Sequence, residues 1–569
     1  MRSHSPSDGV LRVLAIGGTH VVMLGIDIAP AARHGLLGFA IHRTDHAENE
    51  AYWLQGMRTF EAVYPDPPTS VLVSTREHPV QDFLWSDFTA KPGRRYSYRI
   101  AALYGKPRNL QPAFEAVVEV ITEQEVDGVH SVHFNRGVIG SQAYIRKWPK
   151  VPTELPPDQA EQAWRWLSRG LEEALLAFIG QAVDNRWSLR VAAYEFSHAP
   201  VAEALAQARA RGADVRIVYD ARISQKRDGT PDPDEAKRVA AVEALLDAHG
   251  LRSSADAAHP RRSNPGYIAH NKFIVLLDQG KPVAVWTGST NFTRSGLFGQ
   301  ANVGHVVRDA AVAQTYLGYW TALAADPEVA ALRDDSEALS PTPPLPPPAG
   351  ATALFSPRKG LGQLQWYADL LDSARSLSCL TAAFGVNKRF LEDYAQDKGL
   401  LRYLFLEKWG VTPAAADAAQ AQLGVDPDVQ VAVGAAFDAE APPGWRRELL
   451  NTISGHVRYV HTKFLLVDPL GADPLVVTGS ANFSDASTTE NDENMLLIRG
   501  DTRVADIYLG EFMRLWRHHR FRSIVRRPDP AGGPERPNYL APDDRWARPF
   551  FDPAHVKFKR RRSFSPGGL

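Results

Sequence analysis

Two histidine–lysine pairs stand where apolar runs begin. In "IAHNKFIVLLDQGKPVAVWTGSTNF", Ile268 to Phe292, His270 precedes Lys272 by two residues, and a second apolar run closes on Gly288, Ser289 and Asn291. The second half of the chain repeats this in "YVHTKFLLVDPLGADPLVVTGSANF", with His461, Lys463, Gly479, Ser480 and Asn482. All five positions are displaced by 191 residues. A lone H-x-K reads as a strand end held by ion pairs. Five residues repeated at one offset read as a duplicated reaction site.

The spacing has a physical sense. Residues i and i+2 of a strand share a face, so each histidine points with its lysine. The runs that follow, "FIVLL" and "FLLV", suit strands buried on both faces. Glycine permits a tight turn, and serine and asparagine add neutral donors beside the lysine. Each copy offers an imidazole, a fixed cation and neutral donors, which is half of an anion-binding reaction site.

H-x-K followed by G-S-x-N, present twice, resembles the phospholipase D superfamily over residues of about 156 to 527. The resemblance implies two halves packed about a pseudo-twofold axis with both motifs at their interface, and no metal or other cofactor. It implies that His270 attacks phosphorus and forms a phosphohistidine. His461 then protonates the leaving oxygen and activates water. Lys272, Lys463, Asn291 and Asn482 hold the non-bridging oxygens, helped by Ser289 and Ser480. The family aspartate five residues after the lysine is Asp468 in the second copy, while the first copy has Leu277 there and Asp278 one later. A one-residue slip reverses the face of a strand, so Asp278 needs a bulge or has no such role. The family glutamate eleven after the asparagine is Glu493, and its counterpart is Asn302. Glu493, and Asp468 with it, are expected to orient and polarise imidazoles. Asn302 would orient one without raising its basicity.

The elements that position these residues are α/β. From about 156, helical and strand patterns alternate ("SLRVAAYEF", "APVAEALAQARARG", "DVRIVYD"), which predicts a largely parallel sheet. "AEQAWRWLSRGLEEALLAFIGQA" reads as one helix. After the proline-rich "SPTPPLPPPAG", a stiff connector, the texture returns, with Phe196 matched to Phe384. Residues 1 to 125 read as short β-runs. Tyr96, Tyr98 and Ile100 alternate with Arg95, Ser97 and Arg99, and Pro92-Gly93 turns between two strands in the manner of a fibronectin-like β-sandwich. The expected organisation is a β-sandwich accessory domain (1–125), a connector (126–155), a first half (156–333), a linker (334–350), a second half (351–527) and a partly docked tail (528–569).

Composition narrows the function without fixing the substrate. With 44% hydrophobic and 23% charged residues the chain is globular, and a formal net charge of -1 gives no global field for polyanions. The single cysteine, Cys379, lies in an apolar run and reads as core; it excludes a disulfide framework and a multi-cysteine zinc site. No signal peptide or membrane span is recognisable, so a cytoplasmic location is expected. The favoured reading is a hydrolase of phospholipid headgroup esters, with peripheral membrane contact. The alternative is a nuclease or nucleic-acid-repair phosphodiesterase, favoured by the basic tail "HVKFKRRR" and opposed by a pI near 7.0. A non-enzymatic phosphate-binding protein is the third.

Overall fold

The computed structural model describes residues 1–6, 9–137, 140–264, 266–442, 444–449, 453, 457–525 and 539–567. Two seven-stranded sheets share one strand order. The first runs His130–Phe134, Val303–Val307, Lys281–Gly288, Lys272–Asp278, Trp187–Ala193, Asp214–Asp220, Ala258–Arg261. The second runs Gly350–Ser356, Glu493–Arg499, Leu475–Gly479, Phe464–Val467, Leu377–Ala382, Leu401–Leu406, Val429–Val433. In each sheet only two of six pairings are parallel, so the expected largely parallel sheet is mixed. The cause is local. Gln279 and Gly280, both at positive φ, make a two-residue hairpin loop after Asp278, and a hairpin can only join antiparallel strands.

The register corrects the alignment of the two copies. Val191 lies opposite Ile274, and Leu380 opposite Leu465. Strands Trp187–Ala193 and Leu377–Ala382 are therefore offset by 189, and Phe384 corresponds to Glu195. Phe196 is fully buried, whereas Phe384 is 42% exposed.

Helices Ala310–Ala324 and Thr502–Val525 carry the core that joins the sheets. Tyr319 stacks on Phe355 with centroids 4.2 Å apart, and Phe134 meets Phe464 and Tyr508 edge-on. Cys379 is buried in the same core. Arg261, buried, reaches from the first half to Asp492 of the second (2.9 Å) and to Asp326 (2.7 Å).

Three further expectations change. The connector is not a linker: His130–Phe134 is a sheet strand and Gln142–Lys147 a helix, while Val138 and Ile139 lie outside the described residues. The helix read through residues 160–182 breaks at Arg169 and Gly170, both at positive φ. Arg169 turns inward there to an ion pair with Glu511 (2.7 Å). Residues 334–339 of the assigned linker complete helix Val329–Leu339.

The N-terminal residues form two four-stranded sheets around one core that includes Val13, Ile26, Ile41, Tyr98 and Ile100. The strands on either side of Pro92-Gly93, Leu84–Asp87 and Arg95–Lys106, belong to different sheets. The alternation of Tyr96, Tyr98 and Ile100 is as read, all three being buried. The tail packs here. Tyr539–Leu540 pairs with Thr59–Phe60, Trp546 and Phe550 pack on Phe83, and residues 526–538 lie outside the described residues. The basic stretch is not a solvated patch: Lys559, Arg560 and Arg561 pair with Asp428, Asp82 and Asp27. Among the described residues no helix is long and apolar enough to cross a membrane.

Candidate active site

Backbone bonds between the halves bring the two motifs together. His270 N–H donates to Asp492 O (2.9 Å) and Asp492 N–H to Ile268 O (3.1 Å). The mirrored set is His461 N–H to Ala301 O (3.2 Å) and Ala301 N–H to Tyr459 O (2.8 Å). Each histidine thereby sits beside the orienting residue of the other half. His270 Nδ1 bonds Glu493 Oε2 at 2.8 Å, and His461 Nδ1 bonds Asn302 Oδ1 at 2.9 Å. Both imidazoles are nearly buried, 4% and 7% exposed. Asn302 donates through Nδ2 to Gly296 O (2.8 Å), so Oδ1 faces His461, whose Nδ1 must carry the proton. Nε2 is the nitrogen that these two bonds leave unused on each ring.

The G-S-x-N segments hold this arrangement. A Cβ on Gly288 would lie 2.3 Å from Val303 O, and one on Gly479 would lie 2.2 Å from Asn494 O. Only glycine lets the neighbouring strand approach so closely. Ser289 and Ser480 are fully buried and bond protein groups. Ser289 Oγ donates to Asn302 Oδ1 (2.8 Å) and accepts from Val303 N (3.1 Å), and Ser480 Oγ accepts from Asn494 N (2.9 Å). They brace the strands that carry Asn302 and Glu493.

Both lysines are buried. Lys272 Nζ donates to His270 O and Lys463 Nζ to His461 O (2.7 Å). Burial pushes Lys272 down to about 7, against Glu493, Glu195 and Asp220, and holds Lys463 well below the usual ammonium range, with Lys272 adding to it. Burial also lowers His270 to about 4 although Glu493 opposes it, and lowers His461 further from its ordinary value, with Lys463 and Lys272 adding to the effect. Glu493 is held below the usual carboxylate range: burial acts against this, and His270 and Lys272 outweigh it. Glu493 and Glu195 are the carboxylates that oppose this desolvation at both lysines. Asn291 and Asn482 each bury an Oδ1 without a partner, and Asn291 Nδ2 donates to Glu195 Oε2 (2.7 Å).

Asp468 is a correction. Its carboxylate accepts from the backbone of Arg375 (2.9 Å), Ser376 (2.8 Å) and Leu377 (3.1 Å) and from Ser376 Oγ (2.7 Å), so it ties off the turn before strand Leu377–Ala382. It orients no imidazole. Asp278 pairs with Arg186 before the equivalent strand of the first half, and likewise stays outside the site.

Sequence reasoning passed over three acidic residues. Glu407 accepts from the backbone N–H groups of Arg458 (2.7 Å), Tyr459 (3.0 Å) and Val460 (2.8 Å), just before His461. Asp220, pushed up to about 6 by burial, pairs with Arg238 (2.6 Å) at the end of its strand. These two close "DVRIVYD" and "LRYLFLE", so aligning the copies would have found them. Glu195 had no such signal, because Phe384 stands at its place in the second half. Tyr194 lies 5.0 Å from the His270 ring and 5.1 Å from Lys272 Nζ.

Two histidines, two lysines and two amides thus converge from duplicated sheets into one buried cluster. The model of the cardiolipin synthase, PLD-like domain family matches residues 175–323 and 434–516, one stretch in each half. A curated phospholipase D of Rickettsia bellii (strain RML369-C) is 30% identical over 145 residues, 25% of this chain; the chain spans about 60% of that relative's length. Among solved structures, the phosphatidylserine synthase of Haemophilus influenzae Rd KW20 is 13% identical over 62% of this chain and 85% of its own, with a TM-score of 0.42. Yeast tyrosyl-DNA phosphodiesterase is 13% identical over 58% and 87%, with a TM-score of 0.31. The phospholipase D family member Nuc of Salmonella typhimurium is 20% identical over 30% and 94%, with a TM-score of 0.22. The chain is similar to the phospholipase D superfamily in both halves, and members of that superfamily act on phosphodiesters.

Proposed function

We propose that the chain hydrolyses phosphodiester bonds, phospholipid headgroup esters foremost, through a phosphohistidine on His270. The observation that carries this is the unequal crossed pairing of the two imidazoles. When His270 Nε2 attacks phosphorus, positive charge develops on the ring, and the Glu493 carboxylate at 2.8 Å stabilises it. His461 faces a neutral amide. The anionic substrate supports a second proton on His461, taken at Nε2 from solvent as substrate binds. This imidazolium, less stabilised than that of His270, is the stronger acid and gives that proton to the leaving oxygen as the P–O bond breaks. Deprotonated His461 then takes a proton from water, the hydroxide oxygen bonds phosphorus, the P–N bond breaks and His270 is restored. Lys272, Lys463, Asn291 and Asn482 hold the non-bridging oxygens. Substrate phosphate adds a further anion beside the depressed lysines and so favours their cationic form as it binds. No step calls for a metal.

The pseudo-twofold relation of the halves belongs to this proposal and is supported by the shared strand order and the mirrored bonds at offset 191. We read the two N-terminal sheets as an accessory β-sandwich. Lipid is favoured over nucleic acid because three cations of the basic tail are spent on Asp428, Asp82 and Asp27. The test is choline release from phosphatidylcholine vesicles in EDTA, with His270→Ala as control. Release that survives EDTA and disappears in the variant supports the proposal. No release by folded protein, with cleavage of single-stranded DNA instead, replaces lipid by nucleic acid.

A further inference from the structure

A cavity of about 640 Å³ opens on the first-half side of the site, lined by Glu195, Ser197, Thr293 and Arg294 among others. Half-buried Glu195 lies at its catalytic end: Oε2 accepts from Asn291 Nδ2 at 2.7 Å, and Tyr194, the preceding residue, packs on His270. Of the cavity's other charges, Arg238 is paired with Asp220 (2.6 Å), while Arg294 is drawn onto the Trp164 ring (5.3 Å) and keeps its charge. Exposed Asp234 and Lys237 share one turn of helix Pro233–Ala248 and offset each other. The second half has no such carboxylate, because Phe384 occupies the matching position. The site therefore has one arm that ends on a negative charge.

We propose that this cavity receives the leaving alcohol and that Glu195 selects esters of amino alcohols by taking up their ammonium group. The inference rests on the phosphodiesterase reading above. The reach is right. With Asn291 bonded both to Glu195 and to a phosphoryl oxygen, the carboxylate stands roughly 5 Å from that oxygen. A two-carbon arm places its nitrogen about 4 Å from the ester oxygen, within contact of Glu195. A buried ammonium left without a partner is costly, so a carboxylate here discriminates against losing it as well as for keeping it.

The experiment compares wild type with Glu195→Gln, which keeps the amide contact to Asn291. The substrates are monomeric dihexanoyl phosphatidylethanolamine and dihexanoyl phosphatidylglycerol, used below their micelle concentrations so that surface charge plays no part. Wild type is expected to favour the ethanolamine ester by tenfold or more in kcat/KM. Glu195→Gln is expected to bring the two esters to near parity by lowering the ethanolamine ester alone. Equal loss on both esters would make Glu195 a positioning residue for Asn291 and overturn the inference. So would equal rates on both esters in wild type. Rates on both esters that are no higher in wild type than in His270→Ala would sink the phosphodiesterase reading itself.

Discussion

Glu493→Gln isolates what a single charge does at the His270 ring. The substitution keeps the shape and leaves an oxygen for Nδ1, as Asn302 provides for His461. It removes a carboxylate bonded at 2.8 Å and only 1% exposed. From that bond the carboxylate charge lies about 5 Å from the centre of charge of the ring. At an effective dielectric of about 20 a unit charge at that range is worth roughly 3 kcal/mol. His270 acquires its charge as Nε2 bonds phosphorus, so the loss falls on the transition state, a reduction of roughly 10²-fold. Lys272 loses one of the charges that support it, which deepens the loss. Single-turnover release of alcohol from a labelled diester is the assay, since it reports formation of the phosphoenzyme alone. KM should move little. A Glu493→Gln protein with native circular dichroism and a rate within threefold of wild type would refute the electrostatic reasoning. A loss confined to the second, hydrolytic step would place the nucleophile on His461.

Two further outcomes follow from the geometry. Asp468→Ala leaves three backbone N–H groups and Ser376 Oγ without their acceptor. It should cost about 2–4 kcal/mol in urea unfolding with kcat per folded molecule unchanged; a selective fall in kcat would restore Asp468 to the site. His133, buried against Trp286 with Nδ1 unpartnered, is lowered to about 4 by burial, which nearby Glu125 only partly offsets. Because the folded pKa lies below the unfolded 6.5, only the unfolded chain takes up this proton as pH falls from 6.5 towards 4, and stability drops over that window. His133→Phe should remove this part of the loss, roughly 2 kcal/mol at pH 5 relative to pH 8; equal pH slopes in the two proteins would contradict it.

The duplicated motif stood out because its residues recur at one offset and are held by contacts within the protein. Gly288 and Gly479 admit a neighbouring strand, and Ser289 and Ser480 brace it. The unequal pair Glu493 and Asn302 came from the family resemblance, eleven residues after each motif asparagine. Which histidine each one serves was not legible, since the crossing arises from backbone pairing between residues more than 150 apart in sequence, as at Ala269 with Asp492 and Ala301 with Val460. Asp468 misled for the opposite reason: an aspartate at a fixed distance from a lysine serves a turn as well as it serves an imidazole. The connector was misjudged because strand His130–Phe134 lies at a sheet edge and acquires its partner, Val303–Val307, only in three dimensions. The basic tail spoke for nucleic acid because its carboxylate partners, Asp27, Asp82 and Asp428, are distant in sequence.

The assignment of the nucleophile is most directly tested by trapping. Wild type, His270→Ala and His461→Ala are each incubated with a diester labelled at phosphorus, quenched and digested. The proposed mechanism predicts acid-labile, base-stable label on the peptide containing His270 in the His461→Ala protein, and none on His270→Ala. Label on His461 in the His270→Ala protein, with none in His461→Ala, would contradict it.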